Sequence, residues 1–233
     1  MNDLKNSAYD DVTIKFEEGE TLIPIPQDTV IKINTEADNK PVVQKKEFEI
    51  FELVSDKDPI LGEVMPLFDF ENPPVDPAEF ASSLVETCKL HKGLGLSANQ
   101  CGFRHRVFVM GANDNYVAFY NPKLISVSTE TSRMEEGCLS FFGLFLAVER
   151  PSMIEVEYQD YTGQVKTATY SGITARCFLH ELDHMNGIRY TDKVKPLALQ
   201  MAQKRRAKGI HKREQAIKNI TKRLKQNAKR YSN

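Results

Sequence analysis

The spacing of apolar residues first indicates a helix in the N-terminal half of the chain. Residues 76–79 (Asp-Pro-Ala-Glu) offer an N-cap acceptor, a proline at the first helical position and an acid at the third. Leu84, Val85 and Cys88 then recur at helical spacing until Gly93. This pattern predicts one helix between these two boundaries.

Short alternations of apolar and polar residues predict strands from residue 106 to about residue 170. The strands are predicted at residues 107–109, 116–119, 154–158 and 165–170, with a hairpin connection at residues 161–164. The longest apolar run, residues 141–148, suits a further strand and is far shorter than the ~18 residues of a membrane span. No membrane partner is therefore expected.

Two more helices are predicted after the strands. One covers about residues 173–186 and stops at Gly187, and a long one follows Pro196. A block of strands with one embedded helix is typical of an α+β fold with antiparallel pairing, whereas repeated βαβ units would give a parallel sheet. We expect antiparallel strands or sheets around a central helix, plus a C-terminal helix.

The two ends of the chain differ from the centre, residues 49–195, in composition. Residues 1–48 form an acidic extension, in which residues 12–16 and 30–33 alternate like strands or a partly ordered arm. Residues 193–233 hold 14 basic side chains and one acid, so a local charge of +13 balances −14 elsewhere within the net charge of −1. An acidic body with a basic helical tail at residues 196–233 indicates a separate polyanionic partner for the tail.

Composition narrows the class of protein further. The chain has 233 residues, of which 41% are hydrophobic and 27% charged, as in ordinary globular proteins. The N-terminus has neither a basic head nor an apolar stretch, so the cytosol is the expected compartment, or an organelle matrix after processing. The four cysteines are then expected as thiols or metal ligands rather than disulfides.

The pentapeptide His180-Glu181-Leu182-Asp183-His184 carries the clearest chemistry. Residues i and i+4 share one face of a helix, so both imidazoles can bind one metal ion while the glutamate handles a proton. A catalytic site normally takes three protein ligands and leaves one position open. The third ligand therefore decides the type of enzyme.

A zinc endopeptidase is one alternative, and it lacks an evident third ligand. A third histidine in the pattern His-x-x-Gly-x-x-His would fall on Tyr190, and the only acid after Asp192 is Glu214. A remaining candidate is the soft ligand Cys138, in Glu-Gly-Cys-Leu-Ser. Another alternative is a nucleic-acid-binding module in which four protein ligands hold a purely structural metal.

Three segments together closely resemble the signature motifs of peptide deformylases. They are residues 93–100 (GLGLSANQ), 136–140 (EGCLS) and 180–184 (HELDH), in the order and at the approximate separations of that family. The resemblance covers about residues 50–195. The chain departs from the usual pattern at several positions: Gly62, Ser97, Phe141, Phe142, Phe145 and Leu179.

The resemblance implies a metal-dependent hydrolase that releases formate from the N-formylmethionine of nascent polypeptides, with residues 49–195 as the catalytic domain. It implies Cys138, His180 and His184 as ligands of one divalent ion, with Fe2+ usual and Zn2+ or Ni2+ as replacements. Glu181 would then transfer protons. Gln100 and the backbone N–H of Leu139 are expected to donate hydrogen bonds to the oxyanion. Asp183 and Arg150 are expected to form an ion pair that orients the ligand helix. The expected pocket for the methionine side chain is lined by Gly93, Leu94, Gly95, Glu136, Ile173, Arg176 and Cys177.

The basic tail has two expected fates. From Pro196 onward a thin apolar stripe is surrounded by Lys and Arg, so the helix can pack on the acidic body or bind an external polyanion. The resemblance favours ribosomal RNA as that polyanion, because some deformylases dock a basic C-terminal helix on the ribosome.

Overall fold

The computed structural model describes residues 14–16, 20–21, 23, 29–31, 42–44 and 48–231. Three α-helices and nine strands occur within these residues. The helices are α1 (Pro77–Leu90), α2 (Gly172–Met185) and α3 (Pro196–Tyr231). The strands are β1 (Thr29–Ile31), β2 (Val42–Gln44), β3 (Gly95–Ser97), β4 (Val107–Ala112), β5 (Asn115–Val127), β6 (Thr131–Glu136), β7 (Leu146–Pro151), β8 (Met153–Gln159) and β9 (Val165–Ser171).

Every strand pair in the structure is antiparallel. The main sheet has five strands in the order β3-β4-β5-β8-β9, and β6 pairs with β7 in a separate ribbon. Strands β1 and β2 form a third pair. Helix α2 packs against β3, β4, β7, β8 and β9, so it lies between the sheet and the ribbon. The predicted α+β fold with a central helix and a C-terminal helix is confirmed.

Local sequence explains where α1 begins and where α2 ends. The Asp76 side chain accepts a hydrogen bond from the Glu79 backbone N–H at 2.8 Å, and Pro77 occupies the first turn, as predicted. Helix α2 ends at Met185, and Gly187 follows with φ of +68°. A side chain at Gly187 would also lie 2.7 Å from the Gly62 carbonyl oxygen, so glycine suits this position on both grounds.

The strand predicted at residues 141–148 is wrong in its first half. Residues Leu139–Phe141 form a 3-10 turn, and Gly143 adopts φ of +73°, so the strand begins only at Leu146. Phe142 and Phe145 are 63% and 44% exposed. The apolar run therefore combines a buried strand with aromatic residues that face solvent beside a cavity.

The N-terminal extension contributes short described pieces only. Residues 14–16 are not a strand, which corrects the prediction there, although Ile14 is buried and the Lys15 backbone N–H donates to Thr174 Oγ1 at 3.1 Å. Residues 29–31 form β1, in agreement with the alternation predicted at 30–33. The predicted strand residues 12–13 and 32–33 lie outside the described part of the chain.

Helix α3 packs on the body with its N-terminal half and is exposed beyond it. Ala202 is 3% exposed, and Arg206 Nη1 lies 2.7 Å from Asp56 Oδ2. Residues 207–224 are exposed throughout. Across the residues that the structure describes, no helix combines the length and apolar character needed to cross a bilayer.

Candidate active site

Three chain segments bring the candidate residues together. Helix α2 carries His180, Glu181 and His184 on its buried side, and Cys138 precedes the 3-10 turn that follows β6. Strand β3 packs against α2, with Gly95 beside Glu181. Helical periodicity accounts for the first group, whereas only the tertiary fold brings Cys138 alongside it.

The ligand atoms of Cys138, His180 and His184 lie within 4.8 Å of one another. The Cys138 sulfur is 3.4 Å from His184 Nε2, and His180 Nδ1 is 3.1 Å from Glu136 Oε2, which leaves His180 Nε2 for a metal. One thiolate and two imidazoles suit a divalent transition metal, and three protein donors leave a coordination position open. The residues present therefore fit a single divalent metal ion.

A buried charge network supports this ligand set. Glu136 accepts from Arg150 Nε at 2.6 Å, from Arg150 Nη2 at 2.8 Å and from Arg176 Nη1 at 2.6 Å. Arg150 also bonds to Asp183 Oδ2 at 2.8 Å, the ion pair that was expected. Although burial alone would raise it, hydrogen bonds from Arg150 and His180 hold the pKa of Glu136 well below its usual range. Glu136 is thus ionised and can orient His180, as carboxylates next to metal-binding histidines commonly do.

Glu136 and Arg176 were predicted only as lining of the methionine pocket, and their contacts indicate a different main use. Both line the cavity, but the Glu136 carboxylate is committed to the arginines and His180. The Arg176 guanidinium is tied to Glu136, to the Val148 carbonyl at 2.9 Å and to the Ser132 carbonyl at 2.7 Å. Groups held in this way shape a pocket wall, although Arg176 Nε is buried without a hydrogen-bond partner among the described residues.

The carboxylate of Glu181 packs closely against the backbone of β3 at Gly95. Its Oε2 accepts a short hydrogen bond from the Ser97 hydroxyl, and a Cβ added to Gly95 would stand 2.6 Å from Oε1. Burial raises the pKa of Glu181, and His180 and Ser97 partly oppose that rise. A buried carboxylate with a raised pKa is suited to accept and release a proton.

The two histidines differ in their electrostatic surroundings. Burial lowers the pKa of His184 well below its usual value, so this ring is neutral. Burial also disfavours charge on His180, but hydrogen bonds with Cys138 and Glu136 outweigh it and raise the pKa of His180 to about 10. Because only a neutral imidazole can bind a metal, a proton and a metal ion compete for this ring.

The candidate residues surround a cavity of about 890 Å³. All seven residues predicted for substrate contact line it, as do Gln100, Leu139, Cys138, His180 and Glu181. Gln100 accepts from the Ser97 backbone N–H at 3.0 Å, and its amide nitrogen lies 3.2 Å from the Cys138 sulfur. His184, Asp183 and Arg150 are buried behind the cavity wall. A cavity of this size holds a short peptide end.

Sequence reasoning missed three contributions to the site. It noted Ser97 only as a departure from the family pattern, and the hydrogen bond to Glu181 was not foreseen. The Asn99 side chain donates to the His184 carbonyl at 2.9 Å, which links the segment after β3 to the end of α2. Arg205 and Arg213 of α3 line the cavity, although α3 was treated as separate from it. The polar residues Ser97, Asn99 and Gln100, close together in the sequence, were the available signal for the first two.

None of the four cysteines, all of which lie in the described part of the chain, forms a disulfide. Cys88 and Cys177 are buried near Gly93 and Gly95, and burial raises the pKa of both thiols. Burial also raises the pKa of Cys101 to about 12. These three side chains therefore remain protonated near neutral pH and behave as small apolar residues.

Comparisons with known proteins agree with this geometry. The family model for polypeptide deformylase matches residues 50–200. A peptide deformylase of Thermotoga neapolitana is 39% identical over 122 residues, which is 52% of this chain and 74% of that protein. One of Rhizobium meliloti is 35% identical over 161 residues, 67% of this chain and 91% of that protein. The crystal structure of a peptide deformylase from Synechococcus elongatus superposes with a TM-score of 0.64 at 28% identity, covering 67% of this chain and 88% of that one.

These comparisons give no support to the alternative of a zinc endopeptidase. The family model and the relatives show that the chain belongs to the peptide deformylase family.

Proposed function

We propose that this protein hydrolyses the formamide bond of N-formylmethionyl peptides and releases formate. The observation that carries the proposal is the juxtaposition of Cys138, His180 and His184 with the buried carboxylate of Glu181 beside one large cavity. A structural metal site with four protein ligands is less well supported, because Cys, His, Asp and Glu in the described residues provide only three ligand atoms in this cluster.

The reaction needs a proton to move from water to the leaving amine. Water attacks the formyl carbon, the carbon–nitrogen bond breaks, and formate and a free α-amine result. We propose that Glu181 takes the proton from the attacking water and returns it to the amine nitrogen. The short contact with Ser97 fixes the carboxylate in one orientation for both transfers.

Negative charge that develops on the formyl oxygen needs hydrogen-bond donors. We propose the Gln100 side-chain amide and the Leu139 backbone N–H for this purpose, since both line the cavity beside Cys138. Donors held in place by the fold stabilise such charge without reorganisation during the reaction. Gln100 is held in this way, because its oxygen is bound to the Ser97 N–H.

A divalent ion held by Cys138, His180 and His184 would supply Lewis acidity, which allows water to react near neutral pH. Several divalent ions fit a ligand set of this type. We propose Fe2+ as the native metal on the ground of the family resemblance, with Zn2+ and Ni2+ as replacements. Protein purified without oxygen, stripped by a chelator and reloaded with each metal tests this, and highest turnover with Zn2+ would contradict it.

An assay of formate release from formyl-Met-Ala tests the proposed reaction. We expect Glu181→Gln to keep the metal and to lose roughly 10² to 10⁴-fold in kcat, the usual contribution of a general base. Glu130→Gln, an exposed acid outside the cavity, is the matched control and should behave as wild type. Cleavage of an internal peptide bond, or a Glu181→Gln variant with more than about a tenth of normal kcat, would contradict the proposal.

We also propose that the exposed half of α3 binds ribosomal RNA. Residues 207–224 of this helix are exposed, and residues 193–233 carry 14 basic side chains against one acid. The alternative, a helix packed on the body, is supported for the N-terminal half alone by buried Ala202 and the pair of Arg206 with Asp56. A substrate that emerges from ribosomes also places the proposed activity in the cytosol or an organelle matrix.

Deletion of residues 214–233 tests the RNA proposal without removing the contacts of α3 with the body. We expect the truncated protein to lose co-sedimentation with ribosomes and to retain hydrolysis of formyl-Met-Ala. Affinity of the full chain should fall by about 10³ to 10⁵-fold between 50 and 200 mM salt if roughly 6 to 10 phosphates are contacted. Equal co-sedimentation of both proteins at low salt would refute RNA binding by this segment.

A further inference from the structure

Helix α3 supplies part of the wall of the catalytic cavity. Ala202, Arg205, Arg206, Gly209, Ile210 and Arg213 all line it. They lie on one side of the helix, because their spacing follows the helical period. The first half of α3 therefore borders the cavity on one side.

Two arginines of this wall are available to a ligand. Arg206 forms an ion pair with Asp56, with 2.7 Å between Nη1 and Oδ2. Arg205 and Arg213 are exposed and have no carboxylate partner among the described residues. The Arg213 guanidinium stacks over the Phe142 ring, with 5.6 Å from its central carbon to the ring centre. This cation–π contact holds the charge at the cavity while leaving its N–H groups open.

The charge around the outer part of the cavity is positive. Lys92, Arg205 and Arg213 line it, and Glu135 is the only exposed acid among the described lining residues. The inner end is closed by His180, Glu181 and Cys138, where the formyl group would react. A peptide that enters formyl end first therefore places its later residues between Phe142, Phe145 and the arginines of α3.

We propose that Arg205 and Arg213 form a subsite that favours an acidic side chain in the residues following the formylmethionine of the substrate. The subsite rests on the proposed deformylase function, which it extends to substrate preference. Arginine forms directional, two-pronged hydrogen bonds with carboxylates, so it distinguishes glutamate from the equally large glutamine. A free C-terminal carboxylate on a short peptide has the same chemistry.

Peptides with amidated C-termini separate the two sources of carboxylate. The test compares kcat/KM for formyl-Met-Ala-Glu-amide and formyl-Met-Ala-Gln-amide, together with formyl-Met-Ala-Gln bearing a free C-terminus. We expect the first to exceed the second by about two- to tenfold at low salt, since exposed or partly exposed ion pairs contribute modestly. The preference should shrink as salt screens the charges.

Arg213→Gln and Arg205→Gln should each reduce this Glu-to-Gln ratio, and the double variant should bring it to about one. Lys195→Gln removes one exposed positive charge outside the cavity and should keep the wild-type ratio. A wild-type ratio of about one, a ratio unchanged in the double variant, or a preference confined to the free C-terminus would each overturn the subsite. Failure of wild-type protein to release formate from any of the peptides would instead refute the deformylase function.

Discussion

Replacement of Glu136 by glutamine tests the charge network that lies beside the proposed metal ligands. The change keeps the shape of the side chain and removes one buried charge that faces Arg150, Arg176 and His180. Glu136 and Arg150 side chains are 5% and 3% exposed, so solvent cannot replace the lost interaction. Removal of one partner from a buried ion pair usually costs about 3–5 kcal/mol.

The remaining contacts place Glu136→Gln at the lower end of that range. Arg150 keeps Asp183 at 2.8 Å, and Arg176 keeps the carbonyls of Val148 and Ser132. We therefore expect the free energy of unfolding to fall by about 3 kcal/mol, a large part of the roughly 5–15 kcal/mol typical of folded proteins. Denaturant unfolding of the metal-free proteins measures this difference without a contribution from metal binding.

The dependence of this difference on pH has a definite sign. The pKa of Glu136 is depressed in the folded protein, so its stabilisation is complete above the ordinary glutamate pKa of about 4.3 and is lost as the pH falls through and below it. The gap between wild type and Glu136→Gln should therefore narrow in acid. A gap that widens in acid would contradict the ionised state of Glu136.

Glu149→Gln provides the matched control. Glu149 is exposed on β7 and accepts one hydrogen bond from Thr131, so its replacement should change stability by at most about 0.5 kcal/mol. Metal affinity should fall by about 10- to 100-fold in Glu136→Gln, because His180 loses the carboxylate that fixes its ring. A loss of stability below about 1 kcal/mol together with normal metal affinity would refute the role given to this network.

Further substitutions test individual parts of the site. Gly95→Ala should lower kcat by about 10²-fold, because the new Cβ would stand 2.6 Å from Glu181 Oε1, whereas Gly62→Ala meets its nearest neighbour at 3.4 Å and serves as control. Cys138→Ser should lower metal content measured after dialysis, and normal metal content with normal kcat/KM would exclude Cys138 as a ligand. Ser97→Ala should move the acid limb of the kcat/KM profile to higher pH, since loss of a hydrogen bond to the charged form raises the pKa of Glu181, and an unmoved limb would contradict this.

Local patterns in the sequence were sufficient to predict the helix that carries the two histidines of the candidate metal site. The helical spacing of His180 and His184 predicted their shared face, and Asp76 and Gly187 marked helix ends correctly. Strand β6 was not assigned, because its sequence, Thr-Ser-Arg-Met-Glu-Glu, is largely polar and its strand conformation depends on pairing with β7. Tertiary contacts override propensity in such segments.

The hydrogen bonds of Glu136 with His180 and the two arginines could not be predicted from local sequence patterns. Its neighbours in the network come from β7 and α2, which are 14 and 40 or more residues away in the chain. Sequence spacing carries no signal for contacts of this kind. The resemblance pointed to the correct region of the molecule but assigned Glu136 to the substrate pocket alone, and only the distances reveal its bonds to His180 and the arginines.

The helical period of the basic tail predicts which face of α3 meets the body, but not how far along the helix that face is covered. Ala202, Arg206 and Arg213 lie on the side of α3 that meets the body, and Ile217 and Leu224 continue that side by the helical period. Arg213 is the last residue of α3 that lines the cavity, and the helix continues for 18 residues to Tyr231, about 27 Å at 1.5 Å per residue. The face is set by local sequence, but how much of it is covered depends on the width of the folded domain. One helix can therefore border the cavity with its first half and leave its second half open to a polyanionic partner.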